Sequence, residues 1–122
     1  MKVIIVHGSN PKDQEKLARG EPPQNLRHWI PGTKKKLSEK RIECITPLMP
    51  ESWAPDYEKW KEEFEKIGID EEDFVVATSA GAAFILRYLL GENKKLKKLI
   101  LIAPYFLKTE KHSYLDKFVN FN

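Results

Sequence analysis

Phe74-Val75-Val76-Ala77-Thr78-Ser79-Ala80-Gly81-Ala82-Ala83 is the stretch that decides the fold. An apolar, partly β-branched run stops at a serine set among very small residues, and a second apolar run, 84–90, begins at once. The pattern predicts a strand, a sharp turn and a helix. A serine at such a turn is held out above the strand end, and its neighbours must be small because backbone segments nearly collide there. Small-x-Ser-x-small is the nucleophile-elbow pattern, and the chemistry it implies is acyl transfer from an ester or amide to Ser79. The first N–H groups of the following helix point back at the turn, so that of Ala80 is placed to steady a developing oxyanion. Ala77 stands where a glycine is commoner. The competing reading makes Ser79 an ordinary N-cap, its hydroxyl accepting from the first helical N–H groups.

Outward from this stretch, the chain alternates between two periods. Residues 2–7 are continuous and β-branched, as in a strand buried on both faces, and Gly8-Ser9-Asn10-Pro11 ends them. Residues 12–25 are polar, contain Gly20 and Pro22-Pro23, and read as a long loop. Trp29, Thr33 and Leu37 then share one helical face, with Pro31 acceptable in the first turn. A second strand is expected over 42–45, where Cys44 is a small strand residue. Tyr57, Trp60, Phe64 and Ile67 form an apolar helical stripe that Gly68 terminates. Residues 74–77 are the third strand, 80–90 the third helix and 99–103 the fourth strand, stopped by Pro104. The order βαβαβαβ implies an α/β fold in three layers, a parallel sheet of about four strands with helices on both faces. The tail 105–122 carries aromatic residues without a clear period.

Composition narrows the function. A chain of 122 residues is one domain, spanning 1–122. Its 41% hydrophobic and 32% charged residues fit a water-soluble globule, and a net charge of +3 is mild. The lysine runs at 34–36 and 94–98 lie apart, with no aromatic interleaving, so nucleic acid is not an expected partner. A single cysteine, Cys44, excludes a disulfide framework and a cysteine-rich zinc site, and no metal or cofactor is expected. No apolar run is long enough for a signal peptide or a membrane span, so a cytoplasmic location and no membrane partner are expected. A nucleotide-binding domain would need a glycine-rich loop after the first strand; His7-Gly8-Ser9-Asn10-Pro11 has one glycine and a proline.

Several stretches together resemble the small serine hydrolases typified by retinoblastoma-binding protein nine, a compact α/β-hydrolase family. They are Val3-Ile4-Ile5-Val6-His7-Gly8; Asn25-Leu26-Arg27-His28-Trp29 followed by Lys35-Lys36-Leu37; Thr46-Pro47-Leu48-Met49-Pro50; Thr78-Ser79-Ala80-Gly81-Ala82 with Ile85-Leu86-Arg87-Tyr88; and Leu99-Ile100-Leu101-Ile102-Ala103-Pro104 with Tyr105-Phe106. They run in the family's order over nearly the whole chain. The resemblance implies a truncated α/β-hydrolase sheet of strand order 2-1-3-4, with Ser79 as catalytic nucleophile. It implies an oxyanion hole from Ala80 and from Gly8 or Ser9, and a pocket near His7, Asn10, Trp29 and Trp53. The substrate would be a small ester, thioester or amide.

The same resemblance implies a triad acid and a histidine on two further βα units, which this sequence lacks. His112 and Asp116 follow Ser79, but in the wrong order and the wrong segment. A serine without a base is a poor nucleophile. The expectation is therefore a serine hydrolase that is incomplete at its C-terminus and impaired, or a non-catalytic interaction protein on the same fold. The fourth strand is expected to be an exposed edge through which the chain self-associates.

Overall fold

The computed structural model describes residues 1–103, 114–115 and 117–118. Within them run β1 (Val3–Val6), α1 (Asp13–Ala18), a 3₁₀ turn (Gln24–Leu26), α2 (Ile30–Glu39), β2 (Cys44–Ile45), α3 (Tyr57–Glu65), β3 (Phe74–Thr78), α4 (Ala80–Gly91) and β4 (Lys98–Ile102). The strands form one parallel sheet in the expected order β2-β1-β3-β4. Val3 to Val6 stand opposite Phe74 to Ala77, and Phe74 to Thr78 opposite Lys98 to Ile102. β2 is only two residues long; Ile42 leaves the ladder before pairing begins.

Because side chains alternate along a strand, the two faces collect different cores. Ile4, Val6, Val75 and Ala77 face α3 and α4, where Trp60, Phe64 and Phe84 are fully buried. Val3, Ile5 and Val76 face the other way, toward Ile30 and Leu37 of α2. The three layers are thus α2, the sheet, and the pair α3 and α4. The α3 stripe is as expected, capped at its start by Asp56, whose carboxylate accepts from the Lys59 N–H at 3.0 Å. On α2 the stripe is shifted. Ile30 carries the burial, whereas Trp29 precedes the helix and is 37% exposed.

One expectation needs correction. The stretch 12–25 is not all loop, because it contains α1 and the 3₁₀ turn. These have no apolar stripe; they are held by buried Asp13, a polar anchor that hydrophobic periodicity does not register. Of the tail, four residues are described. Leu115 and Phe118 are buried in the core beside α3 and α4, with Phe118 edge-on to Trp60 at 4.8 Å between ring centroids. Arg87 fastens the segment by donating from Nη1 to the carbonyls of Lys117 and Phe118. Among the described residues β4 pairs only with β3, and Ile100 and Ile102 on its α2-facing side are exposed.

At the N-terminal ends of the strands, Lys2 donates from its backbone N–H and Nζ to buried Asp73, with Nζ–Oδ2 at 2.6 Å. Burial alone would raise the Asp73 carboxyl. The bonds from Lys2 and from the Asp70 N–H outweigh it and hold the group below the usual carboxylate range.

If the tail is part of the core, Phe118→Ala should cost about 3 kcal/mol or more, the penalty for emptying a buried aromatic site. Urea denaturation measures it, and a loss below about 1 kcal/mol would mean that the segment only rests on the surface.

Candidate active site

Ser79 stands between β3 and α4 with φ 54° and ψ −122°. A left-handed helical residue has ψ near +47°, so this is a strained conformation, of a kind costing roughly 1–3 kcal/mol and found where the surroundings over-determine it. The surroundings here are specific. The Ser79 N–H donates to the Ile102 carbonyl at 3.0 Å, which extends the β3–β4 ladder into the turn. Its own carbonyl accepts from the N–H groups of Ala82 and Ala83, which starts α4. The side chain makes no capping hydrogen bond and is partly exposed. The hydroxyl is therefore not spent as an N-cap, and that competing reading of the serine falls away.

Small neighbours are required for a reason visible in the packing. A Cβ on Gly81 would strike the carbonyl oxygen of His7 and lie 2.7 Å from that of Val6. Both are backbone atoms that cannot move aside, so α4 can begin this close to β1 only with glycine there. A Cβ on Gly8 would lie 3.2 Å from Ser79 Cβ and 3.7 Å from Ser79 Oγ. The loop after β1 thus passes directly beside the serine hydroxyl.

That loop is held from below. His7 is fully buried, its Nδ1–H donating to the Gly8 carbonyl at 2.6 Å and its Nε2 accepting from the Met49 N–H at 2.9 Å. This bonding requires the neutral ring with its proton on Nδ1. His7 was expected to line the pocket; with both nitrogens engaged and no exposed surface it is instead a support. Asn10 is also committed. Its N–H donates to the Ser52 carbonyl at 3.2 Å and its Oδ1 accepts from the Lys12 N–H. Of the loop's N–H groups, those of Gly8 and Ser9 have no acceptor among the described residues and are left as partners for Ala80. Ser9 Oγ lies 3.1 Å from the Tyr114 hydroxyl.

Trp53 lines a cavity of about 200 Å³ with Leu17, Leu48, Pro50, Asp13 and Ser52. Trp29 does not border it. His112 and Asp116 lie outside the described residues. Sequence reading missed the polar cluster around Asp13, whose Oδ1 accepts from Arg27 Nη1 and whose Oδ2 accepts from Ser52 and Gln24. These four residues sit in polar stretches where solvated side chains are the norm, and no spacing rule connects them.

Burial lowers the His7 pKa to about 4, against a smaller upward push from its bond to Gly8. An unfolded chain takes up the proton near pH 6.5, whereas the folded one does so only near 4. Stability should therefore fall as pH drops through that window, by about 1.4 kcal/mol per unit and roughly 3 kcal/mol in all. Asp13 and Asp73 do not confuse the measurement, because their carboxyls are lowered and their contributions are lost below the usual carboxylate value. Urea melts between pH 7 and pH 4 on the unaltered chain and on His7→Gln should show the slope in the first and not in the second.

No protein-family model matches the chain, and no curated protein matches it. Among solved structures it is similar to the ydeN gene product of B. subtilis, with 25% identity, a TM-score of 0.75 and 97% of this chain covered. The chain spans 59% of the length of that protein. A variant of PytH overlaps at 14% identity, over 87% of this chain and 41% of its own, with a TM-score of 0.49, too distant to bear on function. The fold is a hydrolase-like α/β fold. Among the described residues no helix is long and apolar enough to cross a membrane.

Proposed function

We propose that the chain is a serine hydrolase of the type represented by retinoblastoma-binding protein nine, with Ser79 as its nucleophile, acting on a small ester, thioester or amide. The observation that carries this reading is Ser79 itself: a non-glycine residue in a strained conformation whose hydroxyl is uncapped, partly exposed and flanked by glycine backbone. Strain of this kind persists where function uses it. In the proposed reaction Ser79 Oγ bonds to the substrate carbonyl carbon and gives its proton to a base. The resulting oxyanion accepts from the Ala80 N–H and from that of Gly8 or Ser9. Collapse breaks the bond to the leaving group, which takes the proton, and water then releases the acyl group from Ser79.

Both His7 nitrogens are occupied, so His7 is not the base. Oxyanion donors and binding alone leave a residual acceleration of roughly 10³–10⁴ over water when triad members are missing. The cavity that Trp53 lines is bordered by neither Ser79 nor Gly8, Ser9 or Ala80, so it does not carry the substrate reading. Among the described residues β4 pairs on one side only, which supports self-association by strand pairing; sedimentation over a concentration series reads it directly, and a monomer throughout would end that idea.

A fluorophosphonate probe should label the chain at Ser79, and Ser79→Ala should abolish labelling while leaving the fold intact. Gly8→Ala should also fold but react about 10–100-fold more slowly, because its methyl group crowds the Ser79 side chain by a few tenths of an ångström. Labelling that survives Ser79→Ala, or none in the unaltered chain, would favour a non-catalytic binding protein on the same fold.

A further inference from the structure

We infer that Asp13 is a positioning residue: it locks the loop 8–10 to the segment 49–53 and so sets where the N–H groups of Gly8 and Ser9 stand relative to the Ser79 hydroxyl. The catalytic consequence rests on the Ser79 reading above; the structural one does not.

Asp13 is 1% exposed, although a carboxylate loses heavily on leaving water. It is kept there by three donors from two segments, the 3₁₀ turn with Arg27 just after it and the loop at Ser52. Arg27 Nη1 donates to Oδ1 at 2.5 Å, and Ser52 Oγ and Gln24 Nε2 donate to Oδ2 at 2.6 and 3.0 Å. The backbone then closes a ring. The Asp13 N–H donates to the Asn10 carbonyl at 3.0 Å, and the Asn10 N–H donates to the carbonyl of the same Ser52 at 3.2 Å. Asn10 is two residues from Gly8, at most about 7 Å along the chain, and Gly8 touches Ser79. The ring is therefore the nearest rigid anchor on the far side of the loop from His7, and misplacing a reacting or stabilising group by about 1 Å can cost on the order of 100-fold in rate.

The cluster is poorly built as a stabiliser. Arg27 Nη2 is buried with no acceptor among the described residues. A buried ion pair of this sort is often replaceable by apolar side chains without loss of stability; what it provides is a defined geometry. Asp73 supplies the comparison. It is as buried and as well paired, but it sits at the opposite ends of the strands from Ser79.

The test uses the full chain with Asp13→Asn, the milder Ser52→Ala in case the first fails to fold, and Asp73→Asn as a matched buried carboxylate. Two quantities are followed. One is hydrogen exchange of the Asn10 N–H against the β3 amides of Val75 to Ala77; the other is kcat and KM on p-nitrophenyl acetate. In Asp13→Asn and Ser52→Ala, Asn10 should exchange about 10-fold faster relative to β3, and kcat should fall about 10–100-fold with KM changed less than about 2-fold. Asp73→Asn should move Asn10 and β3 together and leave kcat within about 2-fold. Asn10 exchange that tracks β3 in every variant overturns the inference, as does a kcat loss of equal size in Asp73→Asn. If the unaltered chain shows no Ser79-dependent turnover, the Ser79 reading falls and the catalytic half of this inference with it. Asn10 exchange then decides alone whether Asp13 holds the loop.

Discussion

The first turn of α4 lies against the carbonyl oxygens at the end of β1, and the rest of the structure depends on that contact. It leaves no room for a side chain at Gly81. It brings the helix back to the sheet within two residues of β3, so the chain must turn at Ser79 through a conformation that serine avoids. Ala80, Ala82 and Ala83 are fully buried around the same contact, and Phe84 and Ile85 continue the burial into the α3 side of the core. The cost of the strained turn, of order 1–3 kcal/mol, is offset by this packing and by the bond from the Ser79 N–H to the end of β4. Remove the close approach and Ser79 becomes an ordinary helix cap.

A second level of order is polar. Two buried polar groups help to hold the loops above the C-terminal ends of the strands. His7 stays neutral and bridges Gly8 to Met49. Asp13 stays ionised and gathers Arg27, Ser52 and Gln24. Both pKa values are lowered, with opposite consequences for charge. Burial prevents His7 from charging until the pH is well below neutral, whereas the donors around Asp13 keep it charged despite burial. Both groups are thus held in a single protonation state near neutral pH, and the loop beside Ser79 has fixed anchors on each side.

The sheet and its helices were readable in the sequence because they obey simple periods. Residues 74–83 announce strand, turn and helix through side-chain size alone, and the α3 stripe through spacings of three and four. Strand order came with the family resemblance. What the sequence did not disclose is whatever hydrogen bonds rather than hydrophobic contacts hold together. Helix α1 looked like loop because its anchor is a carboxylate. His7 was readable as lying near the serine, but not as buried and doubly bonded, since nothing in the sequence marks its distant partner, Met49.

The central claim is that strain at Ser79 aims its hydroxyl at a point flanked by the first N–H of α4 and by the loop after β1. A crystal structure of the chain after reaction with a fluorophosphonate tests this most directly. Phosphorus should be bonded to Ser79 Oγ, with the phosphonyl oxygen about 2.7–3.1 Å from the Ala80 nitrogen and from that of Gly8 or Ser9. Phosphorus on another residue, or on Ser79 with its oxygen turned to solvent and away from both segments, would contradict it.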